Sequence, residues 1–267
     1  MKCVQFLFIL FLCSALNVNA QNSSAADKYM QVAEEFKKNL QPDSALVYYE
    51  KASIEYQKLQ NTEKWIDAYN QIGTILTRQD KYDKAKLYLD QALNKGLTIL
   101  GSNHLLVAGT YITLGVIYAA EKKYEESLVF HNKALAIRLK NLGEVHAEVA
   151  TSYGNIGNVY FRAKNFDESI EAHSKALKIR EQVYGKSSVE IIESYANLGN
   201  AFREKKEYSL ALEYYNKALE NKIKQRGEGH KDLMRYYKNL SDVYYLMENK
   251  EQGDFYKTKA DEVMKNL

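Results

Sequence analysis

The chain has 267 residues, of which 46% are hydrophobic, and it is therefore long enough to bury a substantial core. Lys and Arg number 37 against 34 Asp and Glu, so the formal charge of +3 offers no basic field for nucleic acid. The single proline, Pro42, and the abundance of helix-forming residues predict a chain that is helical throughout.

The first twenty residues have the features of an export signal. Lys2 precedes an almost wholly apolar run from Val4 to Leu16, and residues 18–20 have the small-x-small form that signal peptidase accepts. We therefore expect cleavage near Ala20 and a periplasmic or secreted protein. The run is shorter than the roughly 20 residues that span a bilayer, and retention as a membrane anchor is the alternative. No transmembrane span is expected in the mature chain.

Both cysteines, Cys3 and Cys13, lie inside this signal. Disulfides and cysteine-based zinc sites are therefore not expected in the mature chain, and its fold must depend on burial alone.

A repeat of about 42 residues organises the rest of the chain. An apolar set with the spacing i, i+3, i+4, i+7, which lines one face of an α-helix, recurs five times with a small residue at i+4. The copies are Tyr69-Ile72-Gly73-Leu76, Tyr111-Leu114-Gly115-Tyr118, Tyr153-Ile156-Gly157-Tyr160, Tyr195-Leu198-Gly199-Phe202 and Tyr237-Leu240-Ser241-Tyr244. Glycine costs about 1 kcal/mol relative to Ala in a helix, and its missing side chain predicts the close approach of a second helix.

A second helix follows the first in each repeat. It is marked by an aromatic residue, then a small residue, then an alanine, as in Tyr124, Ser127 and Ala134. A further glycine series falls where this helix must end, and glycine suits the left-handed conformation that terminates helices. These glycines are Gly101, Gly143, Gly185 and Gly227.

The pattern Tyr-x-x-Leu-Gly-x-x-Tyr, then Tyr-x-x-Ala, then Ala-Leu resembles the tetratricopeptide repeat. The period is longer than the roughly 34 residues usual for that family. With Leu142-Gly143, His146 and Val149-Ala150 between repeats, it resembles the longer repeats of kinesin light chain. The resemblance covers nearly all of residues 27–265, and it weakens in the first and last repeats. It implies an all-α, right-handed superhelical solenoid of about six stacked antiparallel helix pairs. We place them near 27–60, 62–100, 103–142, 145–184, 187–226 and 229–266, as one domain over residues 21–267.

The resemblance also implies that the first helix of each pair lines a concave surface. On the helix face opposite the buried set, asparagines recur in three adjacent repeats, although Asn is a poor helix former. An Asn amide can donate to and accept from a peptide backbone, and arginines nearby can supply charge. The predicted peptide-binding residues are Asn155, Asn158, Arg162, Asn197, Asn200, Arg203, Arg235 and Asn239. The alternative is that duplicated repeats carry these asparagines by descent, where they merely solvate the surface.

Other recurring residues are weaker candidates. His104, His146 and His230 follow the terminating glycines and are interpreted as helix-start caps and not as metal ligands. Arg138 and Arg180 are interpreted as charges that favour helix C-termini.

No phosphate loop, metalloprotease motif or nucleophile elbow is present in the sequence, so we expect no enzyme activity, cofactor or metal. The sequence predicts a scaffold or adaptor that binds protein or peptide partners. The alternative is a structural module that self-associates through its convex face.

Overall fold

A computed structural model of the protein describes residues 25–186 and 188–265. The predicted export signal, residues 1–20, lies outside the described residues. Within them the chain forms twelve α-helices and no strand, so the predicted all-α class is confirmed. The helices are α1 (25–38), α2 (Pro42–Lys58), α3 (Thr62–Arg78), α4 (Tyr82–Lys95), α5 (Leu105–Ala120), α6 (Tyr124–Leu142), α7 (Ala147–Arg162), α8 (Phe166–Tyr184), α9 (Val189–Glu204), α10 (Tyr208–Arg226), α11 (Met234–Leu246) and α12 (Lys250–Lys265).

The helices group into two compact units, the first ending at Glu121 and the second beginning at Lys122. In the first unit, α3 packs against α2, α4 and α5. Its core includes Tyr56, Trp65, Ile66 and Ala92, all nearly inaccessible to solvent. A π-helical turn, Gly96–Leu100, follows α4 directly.

In the second unit, each helix from α6 to α12 packs against the next helix along the chain. One core cluster includes Val149, Ile156 and Ile179, and a larger one includes Tyr215 and Leu240. The second helices α6, α8 and α10 are each 19 residues long, whereas the first helices α7 and α9 have 16.

The glycines of the first helices allow the close approach that the sequence predicts. A Cβ atom built on Gly199 would lie 2.6 Å from the Tyr215 ring, and one on Gly157 would lie 2.8 Å from the His173 ring. Because neither aromatic ring could stay in place beside a methyl group, glycine is required there by packing.

The turns differ from the sequence expectation in backbone conformation. Gly143 and Gly185 have positive φ, but their ψ angles of 174° and 160° lie outside the left-handed helical region. This extended conformation is essentially restricted to glycine. The left-handed conformation occurs instead between the first and second helices, at non-glycine residues such as Lys164 (φ 64°) and Lys206 (φ 66°).

The recurring histidines after these glycines begin the first helices, as predicted. The Nδ1 atom of His146 accepts a hydrogen bond from the backbone N–H of Glu148 at 3.2 Å. His104 and His230 make the same contact two residues ahead. Among the described helices, none is both long enough and apolar enough to cross a membrane.

Candidate functional site

The predicted asparagines lie on the side of the first helices that faces away from the core. On α7, Ile156 and Gly157 are buried, while Asn155 is half-buried and Asn158 is exposed. On α9, Asn197 and Asn200 are half-buried, as is Asn239 on α11. We call these five residues the asparagine row: Asn155, Asn158, Asn197, Asn200 and Asn239.

Equivalent positions of neighbouring first helices face each other within the second unit. Arg235 of α11 forms an ion pair with Glu193 of α9, 42 residues earlier and at the same position of the repeat. Asn197 and Asn239 each follow one of these partners by four residues, which is about one helical turn. The row is therefore in register from one helix to the next.

Four of the five asparagine amides make no hydrogen bond within the described part of the chain. Asn200 is the exception, because its Oδ1 atom accepts a hydrogen bond from the Tyr215 hydroxyl at 2.6 Å. Burial raises the pKa of Tyr215 to about 12, although the nearby charge of Arg203 acts in the opposite direction. The hydroxyl therefore stays protonated and keeps donating at neutral pH. The amide N–H groups of Asn200 remain available for a partner. In the other four residues, both the amide oxygen and the amide N–H groups remain available.

The three predicted arginines are not equivalent. Arg203 binds the carboxylate of Glu204, with its Nη2 atom at 2.9 Å, and Arg235 contacts both Glu193 and the Tyr236 hydroxyl. Arg162 is exposed and forms no ion pair within the described residues. Of the three predicted positive charges, only that of Arg162 is therefore left without a counter-charge here.

Two residues outside the predicted set of peptide-binding residues shape this surface. Tyr215 belongs to α10, and its ring passes Gly199 so that its hydroxyl reaches Asn200. Glu193 pairs with Arg235 and neutralises it. The tyrosine carried a usable signal, because it follows Gly199 at the same interval as Leu89 follows Gly73 and His173 follows Gly157.

Arg138 and Arg180 have a different role from the one expected. The Nη1 atom of Arg138 donates to the Glu148 carbonyl at 2.9 Å and to the Ser152 hydroxyl at 3.0 Å, which ties α6 to α7. Arg180 donates to the hydroxyl of Ser194 at 2.5 Å and ties α8 to α9. These arginines therefore hold neighbouring repeats together and do not simply neutralise the ends of their own helices.

The described residues contain no group of three or more His, Cys, Asp or Glu side chains that could hold a metal ion. His131 and His173 are almost fully buried, and the Nδ1 atom of each has no hydrogen-bond partner within the described chain. Burial, together with the positive charges of Arg138 and Arg180, lowers the pKa of each histidine to about 4.

A family model described as "Tetratricopeptide repeat" matches residues 66–140 and 148–224, more than half of the chain. The chain belongs to the tetratricopeptide repeat family. No curated protein matches the sequence.

Several solved structures share the fold of this chain at low sequence identity. BtubC (BKLC) from P. vanneervenii has a TM-score of 0.70 and 17% identity, with 93% of this chain and 91% of that chain covered. A putative kinesin light chain with nearly identical TPR-like repeats from Podosopora anserina has a TM-score of 0.62 and 16% identity, over 76% and 97% of the two chains. PilF from Pseudomonas aeruginosa has a TM-score of 0.60 and 17% identity, over 88% and 90%.

These comparisons confirm the solenoid fold class and the resemblance to the repeats of kinesin light chain. The tetratricopeptide repeat fold supports a role as a protein–protein interaction scaffold, and members of this family are generally not enzymes.

Proposed function

We propose that the protein is a non-enzymatic adaptor that binds an extended peptide segment of a partner protein along the asparagine row. The observation that carries the proposal is the unused hydrogen-bonding capacity of this row. Asn155, Asn197 and Asn239 are half-buried, yet their amides have no partner within the described residues. Asn is unfavourable inside helices, so three such residues at one repeat position reduce helix stability without gaining an internal hydrogen bond.

An extended peptide matches this arrangement chemically. Each backbone unit of a peptide presents one N–H donor and one C=O acceptor, and an Asn side chain can satisfy both. Arg162 would add an unpaired positive charge at the end of α7, so a carboxylate in the bound segment is favoured there.

We further propose that residues 1–20 direct export and are removed near Ala20, so that binding takes place in the periplasm or outside the cell. The apolar run and the small residues before Gln21 support this proposal. N-terminal sequencing of the protein recovered from its host tests it, because a mature chain beginning at Met1 would contradict cleavage.

The test of peptide binding compares two matched variants as baits for affinity capture from a host extract. The row variant replaces four asparagines that make no hydrogen bond within the described chain: Asn155→Ala, Asn158→Ala, Asn197→Ala and Asn239→Ala. The control variant replaces four asparagines that lie off the row and whose amides also make no hydrogen bond there: Asn39→Ala, Asn94→Ala, Asn165→Ala and Asn216→Ala. Circular dichroism checks that both remain helical.

We expect the wild type and the control to enrich the same proteins, and the row variant to lose them. Overlapping synthetic peptides from an enriched protein then locate the bound segment, and the row variant should bind it about tenfold or more weakly. Equal enrichment by the row variant contradicts the proposal. If the bait captured only further copies of this chain, and its size in light scattering rose with concentration, the result would instead support the self-associating module.

A further inference from the structure

Three repeats share a cluster of aromatic rings on the side opposite the asparagine row. In each, one ring from the second helix packs against two rings spaced i, i+7 on the first helix. The distances between ring centroids are nearly constant, at 6.2 and 5.4 Å, 6.2 and 5.4 Å, and 6.4 and 5.5 Å. The clusters are Tyr29, Phe36 and Tyr48; Tyr195, Phe202 and Tyr214; and Tyr237, Tyr244 and Tyr256.

The fourth repeat has the two first-helix rings but lacks the third. The second-helix position is the sixth residue after the start of the helix, and it is aromatic in five of the six repeats. The series reads Tyr48, Tyr88, Phe130, Ala172, Tyr214, Tyr256. Ala172 therefore leaves the rings of Tyr153 and Tyr160 without the aromatic partner that the three clusters contain.

A cavity of about 190 Å³ lies where the missing ring would be. It is lined by Tyr153, Tyr160 and Ala172, by the buried side chains of Leu135 and Ile156, and by Asn132. No residue of the described chain fills it, and its walls belong to α6, α7 and α8 of the second unit.

We propose that this cavity, which we call the Ala172 pocket, binds a tyrosine side chain from a segment of a partner protein. The first, fifth and sixth repeats each have an aromatic ring at the position that corresponds to this pocket. A ring placed as in the first and fifth repeats would lie about 6 Å from the Tyr153 ring and about 5 Å from the Tyr160 ring, which are favourable distances for aromatic pairs.

The polar side chain of Asn132 in the lining of the pocket favours tyrosine over phenylalanine. In the second repeat, the hydroxyl of Tyr88 donates to the carboxylate of Glu50 at 3.0 Å. Glu50 is the eighth residue after the start of the preceding second helix, and the equivalent residue beside the Ala172 pocket is Asn132. Its amide can donate to and accept from a bound phenol hydroxyl.

A nearby lysine is positioned to cover the bound ring. In the first and fifth repeats, Lys51 lies 4.7 Å from the Tyr48 centroid and Lys217 lies 5.1 Å from the Tyr214 centroid. Lys175 holds the same repeat position beside the Ala172 pocket and lies 5.7 Å from the Tyr153 centroid. A cation over the face of the bound ring adds to its attraction.

Two features indicate a peptide segment and not an isolated small aromatic molecule. A second cavity of about 360 Å³ shares Tyr153 and Lys175 with the first and extends to Leu139 and Val145, so it can take an aliphatic side chain beside the tyrosine. The exposed rim residue Glu168 has no ion-pair partner in the described chain. The segment therefore combines a tyrosine, an aliphatic residue and a basic residue.

The first experiment uses p-cresol, the side-chain analogue of tyrosine, as the probe. Titration into the purified protein should shift the methyl NMR signals of Leu135 and Ile156 and saturate. Ala172→Tyr, which installs the residue of the fifth repeat, should weaken this binding about tenfold or more by filling the pocket. Ala136→Tyr adds a tyrosine at an exposed position of α6 and should bind p-cresol as the wild type does.

Two further comparisons test the chemistry. Toluene, which lacks the hydroxyl, should bind more weakly than p-cresol, and Asn132→Ala should remove most of that difference. The proposal is overturned if p-cresol leaves both methyl signals unmoved, or if Ala172→Tyr binds it as tightly as the wild type.

The second experiment tests the partner with a phage-displayed library of random peptides, selected on the wild type and counter-selected on Ala172→Tyr. Enriched peptides should share a tyrosine, and its replacement by Ala should abolish their binding. Enrichment of peptides without an aromatic residue overturns the proposal. A wild-type dimer that Ala172→Tyr converts to a monomer in sedimentation also overturns it, since the occupant would then be a second copy.

The asparagine row and the Ala172 pocket lie on opposite faces of α7, so the two proposals fail separately. The row variant should still bind p-cresol, and Ala172→Tyr should still capture partners of the row.

Discussion

The two units use the same row of first-helix positions in opposite ways. In the first unit, the side chains at these positions are already used in internal hydrogen bonds. Gln71 accepts from Lys37 at 3.0 Å and donates to Asp67 at 3.2 Å. The hydroxyls of Thr74 and Thr113 lie 3.3 Å apart and join α3 to α5. In the second unit, the equivalent asparagines, apart from Asn200, have no such partners within the described residues.

This difference shows why residue type alone is a poor guide to a binding surface. Asn70 also lies on a first helix, but it is buried and serves the fold, because its amide donates to the Leu106 carbonyl at 3.0 Å and accepts from the Thr110 hydroxyl at 2.7 Å. An asparagine is available to a partner only where the surrounding chain does not already use its amide.

The largest expected effect is at Asn70. Asn70→Ala should lower the free energy of unfolding by about 2–3 kcal/mol, because it removes two buried hydrogen bonds between α3 and α5 and leaves a cavity, although the Thr110 hydroxyl keeps its hydrogen bond to the Leu106 carbonyl. Urea denaturation followed by circular dichroism measures the change. Asn94→Ala, at an exposed position of α4, is the control and should not destabilise the protein, because it replaces a poor helix former whose amide makes no hydrogen bond within the described chain. If Asn70→Ala also left the stability unchanged, the proposed role of Asn70 in holding α3 to α5 would be wrong.

The second-largest effect is expected on acidification, which should destabilise the second unit more than the first. Burial lowers the pKa of His173 to about 4, with a further contribution from Arg180, whereas an unfolded histidine titrates near 6.5. The unfolded chain therefore binds more protons between these values, and stability is complete above pH 6.5 and falls as the pH drops toward 4. We expect a loss of about 2 kcal/mol by pH 5 from this one residue.

The matched variant is His173→Tyr, which installs the neutral residue that the fifth repeat has at this position. It should remove the part of the acid sensitivity that His173 contributes, while His131 continues to contribute its own. Hydrogen exchange at pH 5 should show loss of protection in α7 and α8 before α3 and α4, where Leu89 occupies the equivalent site. Equal pH dependence of wild type and variant would show that His173 does not titrate in this range.

A smaller loss of stability is expected when an arginine that joins two repeats of the second unit is replaced. Arg138→Met should cost about 1–2 kcal/mol, because the guanidinium that bonds the Glu148 carbonyl and the Ser152 hydroxyl is lost. Lys217→Met breaks an exposed ion pair with Glu213 and should change stability by only a few tenths of a kcal/mol. Similar denaturation midpoints for the two variants would show that the hydrogen bonds of Arg138 do not stabilise the contact between α6 and α7.

The smallest effect should have the opposite sign. Asn197→Ala and Asn239→Ala each replace a poor helix former whose amide has no partner within the described chain, so each should raise the free energy of unfolding by about 0.5 kcal/mol. Thermal denaturation provides the measurement. If either substitution instead destabilised the protein by about 1 kcal/mol or more, its amide would serve the fold, as Asn70 does, and the contrast between the units would disappear.

Much of the architecture follows from local sequence patterns. The spacing of Tyr153, Ile156, Gly157 and Tyr160 predicts one buried helix face, and the buried Ile156 and Gly157 agree with it. The glycines predicted the close approach of a second helix because a missing side chain has a direct geometric effect. The left-handed residues Lys164 and Lys206 were missed, since a lysine carries no local signal for that conformation.

The candidate surface could be predicted only in part. The helix period identified the asparagine row, because the exposed face of a helix is the complement of its buried face. It did not identify the hydroxyl of Tyr215 beside Asn200, or the carboxylate of Glu193 that neutralises Arg235. Tyr215 belongs to α10, and the pairing of Glu193 with Arg235 joins α9 to α11, so the periodicity of a single helix reveals neither contact.

Local patterns and their recurrence along the chain were enough to predict the repeat, the helix pairs and the face that each first helix buries, because each pattern depends on residues within a few turns of one another. The fold alone shows which polar groups are already paired and that the position left by Ala172 is an open cavity. Those properties depend on side chains that are far apart along the chain, such as Arg138 with Ser152 and Glu193 with Arg235. Hydrogen bonds and packing are short-range in space, and the fold determines which distant residues meet.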